Sequence, residues 1–176
     1  KPLWGKNFLV YEEQGLGDII QFCRYLPLLK QKGAEVIFKV KKKMHSILDT
    51  IDSDIVFVDS FLDNVHIDFE TPLMSLPYLF KTNLNTIPSK NSYLSVDHKK
   101  VKSWCERLTK DTFKVGICWQ GSKNKIDFGR SFPLSLFEGI SKLPNIELIS
   151  LHKGEGENQI NLESIDFSDI PADFQY

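Results

Sequence analysis

The sequence predicts an α/β protein of parallel sheets: one βα domain followed by the incomplete start of a second. Three observations carry this. Residues 7–11 (NFLVY) form an apolar run that ends in a Gly-containing turn, and beyond Asp18 the residues Ile19, Phe22, Cys23, Leu26 and Leu29 return at helical spacing. Residues 35–40 (EVIFKV) then supply a second strand, so the unit reads βαβ, which calls for parallel pairing through a crossover. A new apolar run at residues 113–119 (FKVGICW) opens a second series of the same kind.

The elements follow in order. Pro27 falls late in the first helical pattern and is expected to kink it or end its regular part, and Gly33 supplies the stop. Residues 41–50 read as a helix, 54–58 (DIVFV) as a third strand and 66–69 as a fourth, which completes one Rossmann-like layer. Pro72, Pro77 and Pro88, set among Asn and Ser, predict loops over residues 71–93. Asp97 can cap a helix with Val101, Trp104, Cys105 and Leu108 on one face, expected as a linker. The predicted organisation is an N-terminal domain over 1–95, a linker helix over 96–111 and a partial domain over 112–176. Within the last, a polar loop over 120–131, a helix over 133–143 and a strand over 146–151 (IELISL) are expected. Beyond Leu151 the pattern weakens, and the second sheet is expected to be unfinished. Exposed apolar surface on such a unit predicts a homodimer through residues 143–176.

Composition narrows the function classes. A formal net charge of -1 argues against nucleic-acid binding, which usually needs a basic excess. Charge is unevenly placed: Lys30, Lys32, Lys39, Lys41, Lys42 and Lys43 form a basic stretch, and past Lys153 only acids remain, both readable as solvated surface. Cys23, Cys105 and Cys118, an odd count with wide spacing, read as buried thiols from a reducing compartment. No run approaches the ~18 apolar residues that span a bilayer, and no signal-peptide core opens the chain, so a cytoplasmic location is expected. His45, His66, His98 and His152 are isolated, show no metal spacing and read as surface or loop residues. His152 alone is expected near a cleft.

The turn Glu13-Gln14-Gly15-Leu16-Gly17-Asp18 is the chemically suggestive segment. A Gly-x-Gly turn between strand and helix lets backbone approach a ligand closely. The dinucleotide fingerprint fails, because Ile20 stands where the third Gly belongs and Lys39, Lys41 and Lys42 follow the second strand where an acid is needed. No Gly-Lys-Ser/Thr makes a phosphate loop. Asp18, an acid in the first helical turn, is favoured there electrostatically; it can serve only as a cap, or it can take a proton from a sugar hydroxyl, with Glu13 as the competing base.

The run from Leu9 to Leu29 (LVYEEQGLGDIIQFCRYLPLL), with Ser75-Leu76-Pro77, Ile87-Pro88, Val115 to Ser122 (VGICWQGS), Arg130 to Leu134 (RSFPL) and Ser150 to Gly154 (SLHKG), resembles the heptosyltransferase-like (family 9) glycosyltransferase domain often found behind tetratricopeptide repeats in bacterial proteins. The resemblance implies a GT-B-like fold and metal-independent transfer from a nucleotide-sugar donor to a hydroxyl acceptor, with no cofactor. It implies Asp18 as catalytic base, with Glu13, Gln14, Gly15 and Gly17 around the acceptor. It also implies Ser122, Lys123, Arg130 and Ser131 at the donor diphosphate, where cations would offset leaving-group charge. Two departures stand out. A His expected before the Arg-Ser pair is missing, with Lys125 in its place, and the later Asp-Ser/Thr-x-x-x-His segment would lie beyond Tyr176. Neither flank shows tetratricopeptide repeats. The alternative expectation is a truncated, non-catalytic binding or interaction module.

Overall fold

The computed structural model describes residues 2–60, 65–88, 92–108, 111–121 and 129–161. It divides into two compact units, the first running through Val101 and the second from Lys102. Both are α/β with parallel strands.

In the first unit, β1 (Lys6–Tyr11) leads into α1 (Leu16–Phe22), a 3-10 turn at Cys23–Tyr25, and α2 (Leu26–Gln31). Pro27 sits in the opening positions of α2, where its missing N–H costs nothing, so the break falls just before it and the helical path continues beyond. The chain reverses at Gly33, whose φ of +88° suits only glycine; a Cβ there would stand 2.6 Å from the Trp4 ring. Strand β2 (Ala34–Lys39) follows, then a 3-10 turn at Lys42–Met44, the short α3 (His45–Leu48) and β3 (Val56–Val58). Strand β4 (Phe69–Pro72) begins at the last residue of the predicted fourth strand. Residues 71–93, expected as loops, contain part of that strand, a 3-10 turn at Leu73–Ser75 and α4 (Leu76–Leu79). Pro77 opens α4 and does not break it.

The sheet order is β3-β2-β1-β4, with every pair parallel. From β1 the chain moves outward to β2 and β3, then returns to the other side of β1. The switch in direction lies between β1 and β4, and the turn after β1 emerges beside it. Val10, Ile19, Leu26, Phe38, Leu48 and Leu76 are buried in the core beneath. The start of β1 is held by a polar clasp: Lys6 pairs with Asp68 at 2.8 Å, and the Asn7 amide nitrogen donates to the other Asp68 oxygen at 3.0 Å. These bonds, Lys6 first and Asn7 second, hold the Asp68 carboxyl below its ordinary value.

Helix α5 (His98–Arg107) carries the division between the units and is capped by Asp97, whose Oδ1 accepts the Lys99 N–H at 2.8 Å. In the second unit β5 (Phe113–Ile117) pairs in parallel with β6 (Ile146–Ser150), joined through a 3-10 turn at Leu134–Phe137 and α6 (Glu138–Ser141). Ile117, Trp119, Leu134 and Leu148 form its buried core. A 3-10 turn at Glu157–Asn161 closes the described part. Of the segment expected to join two copies, Leu143 and Leu151 are exposed, and residues 162–176 lie outside the described residues. No helix among the described residues is long and apolar enough to cross a membrane.

Candidate functional site

The turn after β1 is organised by its own backbone. Gly15 takes an extended conformation ahead of α1, and its N–H donates to Asp18 Oδ2 at 3.0 Å while its carbonyl accepts from Asp18 and Ile19 N–H at 3.1 and 3.2 Å. Asp18 therefore performs the capping role its position predicts. One carboxylate oxygen is committed to the turn, and Asp18 remains half-buried. Glu13, Gln14, Gly15 and Gly17 are exposed around it.

Beside this turn, a cavity of about 400 Å³ opens at the carboxyl ends of β1, β2 and β3. Tyr11, Glu12, Lys39, Lys41, Asp59 and Glu70 line it together with the buried Val40. Glu12 enters it because its N–H continues the ladder to the Lys39 carbonyl at 3.1 Å, fixing the backbone one residue past β1. Glu12 Oε1 lies 3.5 Å from Lys41 Nζ, whereas Glu12 Oε2 is buried with no hydrogen-bond partner among the described residues. A buried carboxylate oxygen left unpaired is costly, and a ligand hydroxyl or amine would relieve it. Asp18 and Glu13 are not among the lining residues, so the acid presented to this cavity from the β1 end is Glu12.

In the second unit, the expected donor-side residues fall into two groups. Ser122 and Lys123 lie outside the described residues, as does Lys125. Ser131 Oγ accepts the Gly121 N–H at 3.0 Å and the Phe132 N–H donates to the Trp119 carbonyl at 3.0 Å, so the ends of the polar loop are tied together. Arg130 is exposed beside that tie. Among the described residues no group of His, Cys, Asp and Glu is arranged to hold a metal ion.

The cysteines and His152 depart from the sequence expectation. Cys23 is buried, with its thiol pushed up to about 12 by desolvation, but Cys105 and Cys118 are exposed. For Cys118 the reason is strand alternation: its neighbours Ile117 and Trp119 point into the core, so the residue between them points out. His152 is neither isolated nor at the surface. Only 8% exposed, it stacks on the Trp119 indole at a centroid distance of 4.2 Å.

No family model matches the chain, and no solved structure matches it. The chain is similar to Protein FlbA of Caulobacter vibrioides, at 23% identity over 182 aligned residues that cover 91% of this chain. It spans 30% of that relative's length.

The sequence pattern points to Glu13 as the competing base, whereas the structure presents Glu12 to the cavity. The signal that identifies Glu12 is positional: ligands of open parallel sheets gather beyond the carboxyl ends of the strands. Applied to β1, β2 and β3, that rule selects Glu12, Lys39 and Asp59. In the sequence Lys39 and Lys41 read as solvated surface and as evidence against a dinucleotide; in the structure both line the cavity.

Proposed function

We propose that this chain supplies an acceptor-side unit and donor-side residues of a GT-B-like glycosyltransferase, which moves a sugar from a nucleotide-sugar donor to a hydroxyl acceptor without a metal ion. The observation that carries the reading is the placement of Asp18 on a glycine turn at the carboxyl end of the central parallel strand, beside the change in strand order. A hydroxyl acceptor lying over this turn would meet Asp18 Oδ1, while Oδ2 stays on the Gly15 amide and fixes the carboxylate's orientation. Glu13, Gln14, Gly15 and Gly17 would form the floor under the acceptor. Ser122, Lys123, Arg130 and Ser131 would face the donor diphosphate, with the cations offsetting the charge that develops on the leaving group.

The test measures nucleotide-sugar turnover by the protein and its Asp18→Asn variant. Asp18→Asn keeps an acceptor oxygen for the Gly15 amide but removes the base, and nucleotide-sugar turnover is expected to fall by about 10²–10⁴-fold. Unchanged turnover would remove Asp18 from the mechanism. A second reading, a binding module without turnover, draws on the engagement of Asp18 as a cap. Calorimetry with UDP-, GDP- and ADP-sugars separates the two: saturable donor binding favours the transferase, and none across the panel favours the module.

A further inference from the structure

The second unit holds a side-chain pair that the sugar-transfer reading does not use. Cys118 follows β5 and His152 lies just past β6; because these strands pair in register and the Leu151 N–H continues the ladder to the Ile117 carbonyl at 2.9 Å, the two side chains are brought together beyond the strand ends. Cys118 Sγ lies 3.4 Å from His152 Nδ1. The other ring nitrogen, Nε2, lies 2.6 Å from the Glu155 carbonyl oxygen. A carbonyl can only accept, so Nε2 carries the proton and Nδ1 presents its lone pair to the thiol. A thiol, a base within hydrogen-bond reach and a third group that fixes the base's tautomer are the parts of an activated nucleophile.

The surroundings hold this geometry in place. The imidazole lies against the fully buried Trp119 ring, and Trp119 Nε1 donates to the Gly156 carbonyl at 3.2 Å, drawing the loop over the histidine. Gly156, with a φ of +98°, lets that loop approach closely: a Cβ there would lie 2.5 Å from Gln120 Oε1 and 3.2 Å from His152 Nε2. The sulfur is on the exposed side, with the Gln120 carbonyl at 3.9 Å as a weaker second acceptor. The charged side chains of the same loop are Lys153, Glu155 and Glu157, and the Glu157 carboxylate accepts the Gly154 N–H at 2.6 Å. The base is buried and fixed, and the nucleophile faces solvent.

We infer that Cys118 and His152 form a base-assisted thiol site that reacts with hydroperoxides, independently of any sugar transfer. The sulfur attacks the outer peroxide oxygen, the S–O bond forms as the O–O bond breaks, and the thiol proton passes through His152 to the departing oxygen. One thiol and one hydroperoxide give one sulfenic acid and one alcohol or water, with sulfur oxidised by two electrons and the peroxide reduced by two.

The chain contains its own controls. Cys105 is exposed on α5, and Cys23 is buried. Hydrogen peroxide is added to the native chain in the presence of dimedone, and adducts are counted for each cysteine by peptide mass spectrometry. Cys118 is expected to label about a hundredfold faster than Cys105, the low end of what a positioned base supplies, and Cys23 to stay unlabelled. In His152→Gln, folding is checked by circular dichroism and the Cys118 rate is expected to drop to that of Cys105. Equal rates for Cys118 and Cys105 in the native chain would overturn the inference whatever the variant does, as would an undiminished Cys118 rate in folded His152→Gln.

Discussion

The turn after β1 and the turn after β5 occupy equivalent places, each following a strand of a parallel sheet, yet they are held in different ways. Past the Glu12 N–H bond to the Lys39 carbonyl, the first is fixed by short-range bonds, with Asp18 closing on Gly15 three residues back, and its surface is mostly exposed. The second is fixed by its core: Trp119 is fully buried, stacks on His152 and reaches the Gly156 carbonyl. A turn built locally can lose a contact and keep its path. One built on a buried aromatic cannot.

The largest expected effect follows from that difference. Trp119→Ala empties the centre of a small core and removes the support for His152, and should destabilise the second unit by about 3–5 kcal/mol. Urea denaturation read separately for each unit checks this, and a loss under 1 kcal/mol would break the comparison. Asp18→Ala removes only a cap and should cost about 1 kcal/mol in the first unit by the same measurement. A loss as large as that of Trp119→Ala would mean the first turn is also held by long-range packing.

The same contrast decides what could be read from the sequence. The Gly-x-Gly-Asp turn was legible because its determinants are neighbours: the glycines, the cap and the helical spacing from Ile19 all fall within one short stretch. The parallel strands were legible for a similar reason, since apolar runs bounded by turns carry their own signature. Cys118 and His152 were not, because their meeting depends on the register of β5 with β6 and on which face each residue takes. Alternation along FKVGICW could have shown Cys118 facing outward once Trp119 was assigned to the core. Nothing in the local sequence shows that His152 lies beneath it. The two prolines divide in the same way: Pro27 follows the break expected of it, the 3-10 turn between α1 and α2, whereas Pro77, expected within loops, opens α4 because its missing N–H costs nothing in a first helical turn.

The smallest expected effect concerns pH. Asp68 clasps the start of β1, and its folded-state value lies below the ordinary carboxylate value of 3.8. A depressed acid contributes stability that is fully present above its ordinary value and is lost as pH falls through the lower folded-state value. Urea midpoints of the native chain should therefore drop more steeply below about pH 4 than those of Asp68→Asn, and the difference should shrink in salt because the Lys6 partner is exposed. Identical acid limbs would show that the clasp contributes nothing.

The pairing of β5 with β6, Phe113 with Ile146 through Ile117 with Ser150, also decides which atoms this unit offers to solvent. A slip of β5 by a single residue would turn every side chain to the opposite face, burying the Cys118 sulfur in the core and pushing the Trp119 indole into water. The burial energy of one tryptophan thus keeps its neighbouring thiol outside, so the accessibility of the sulfur is inherited from the next side chain along, which packs into the core.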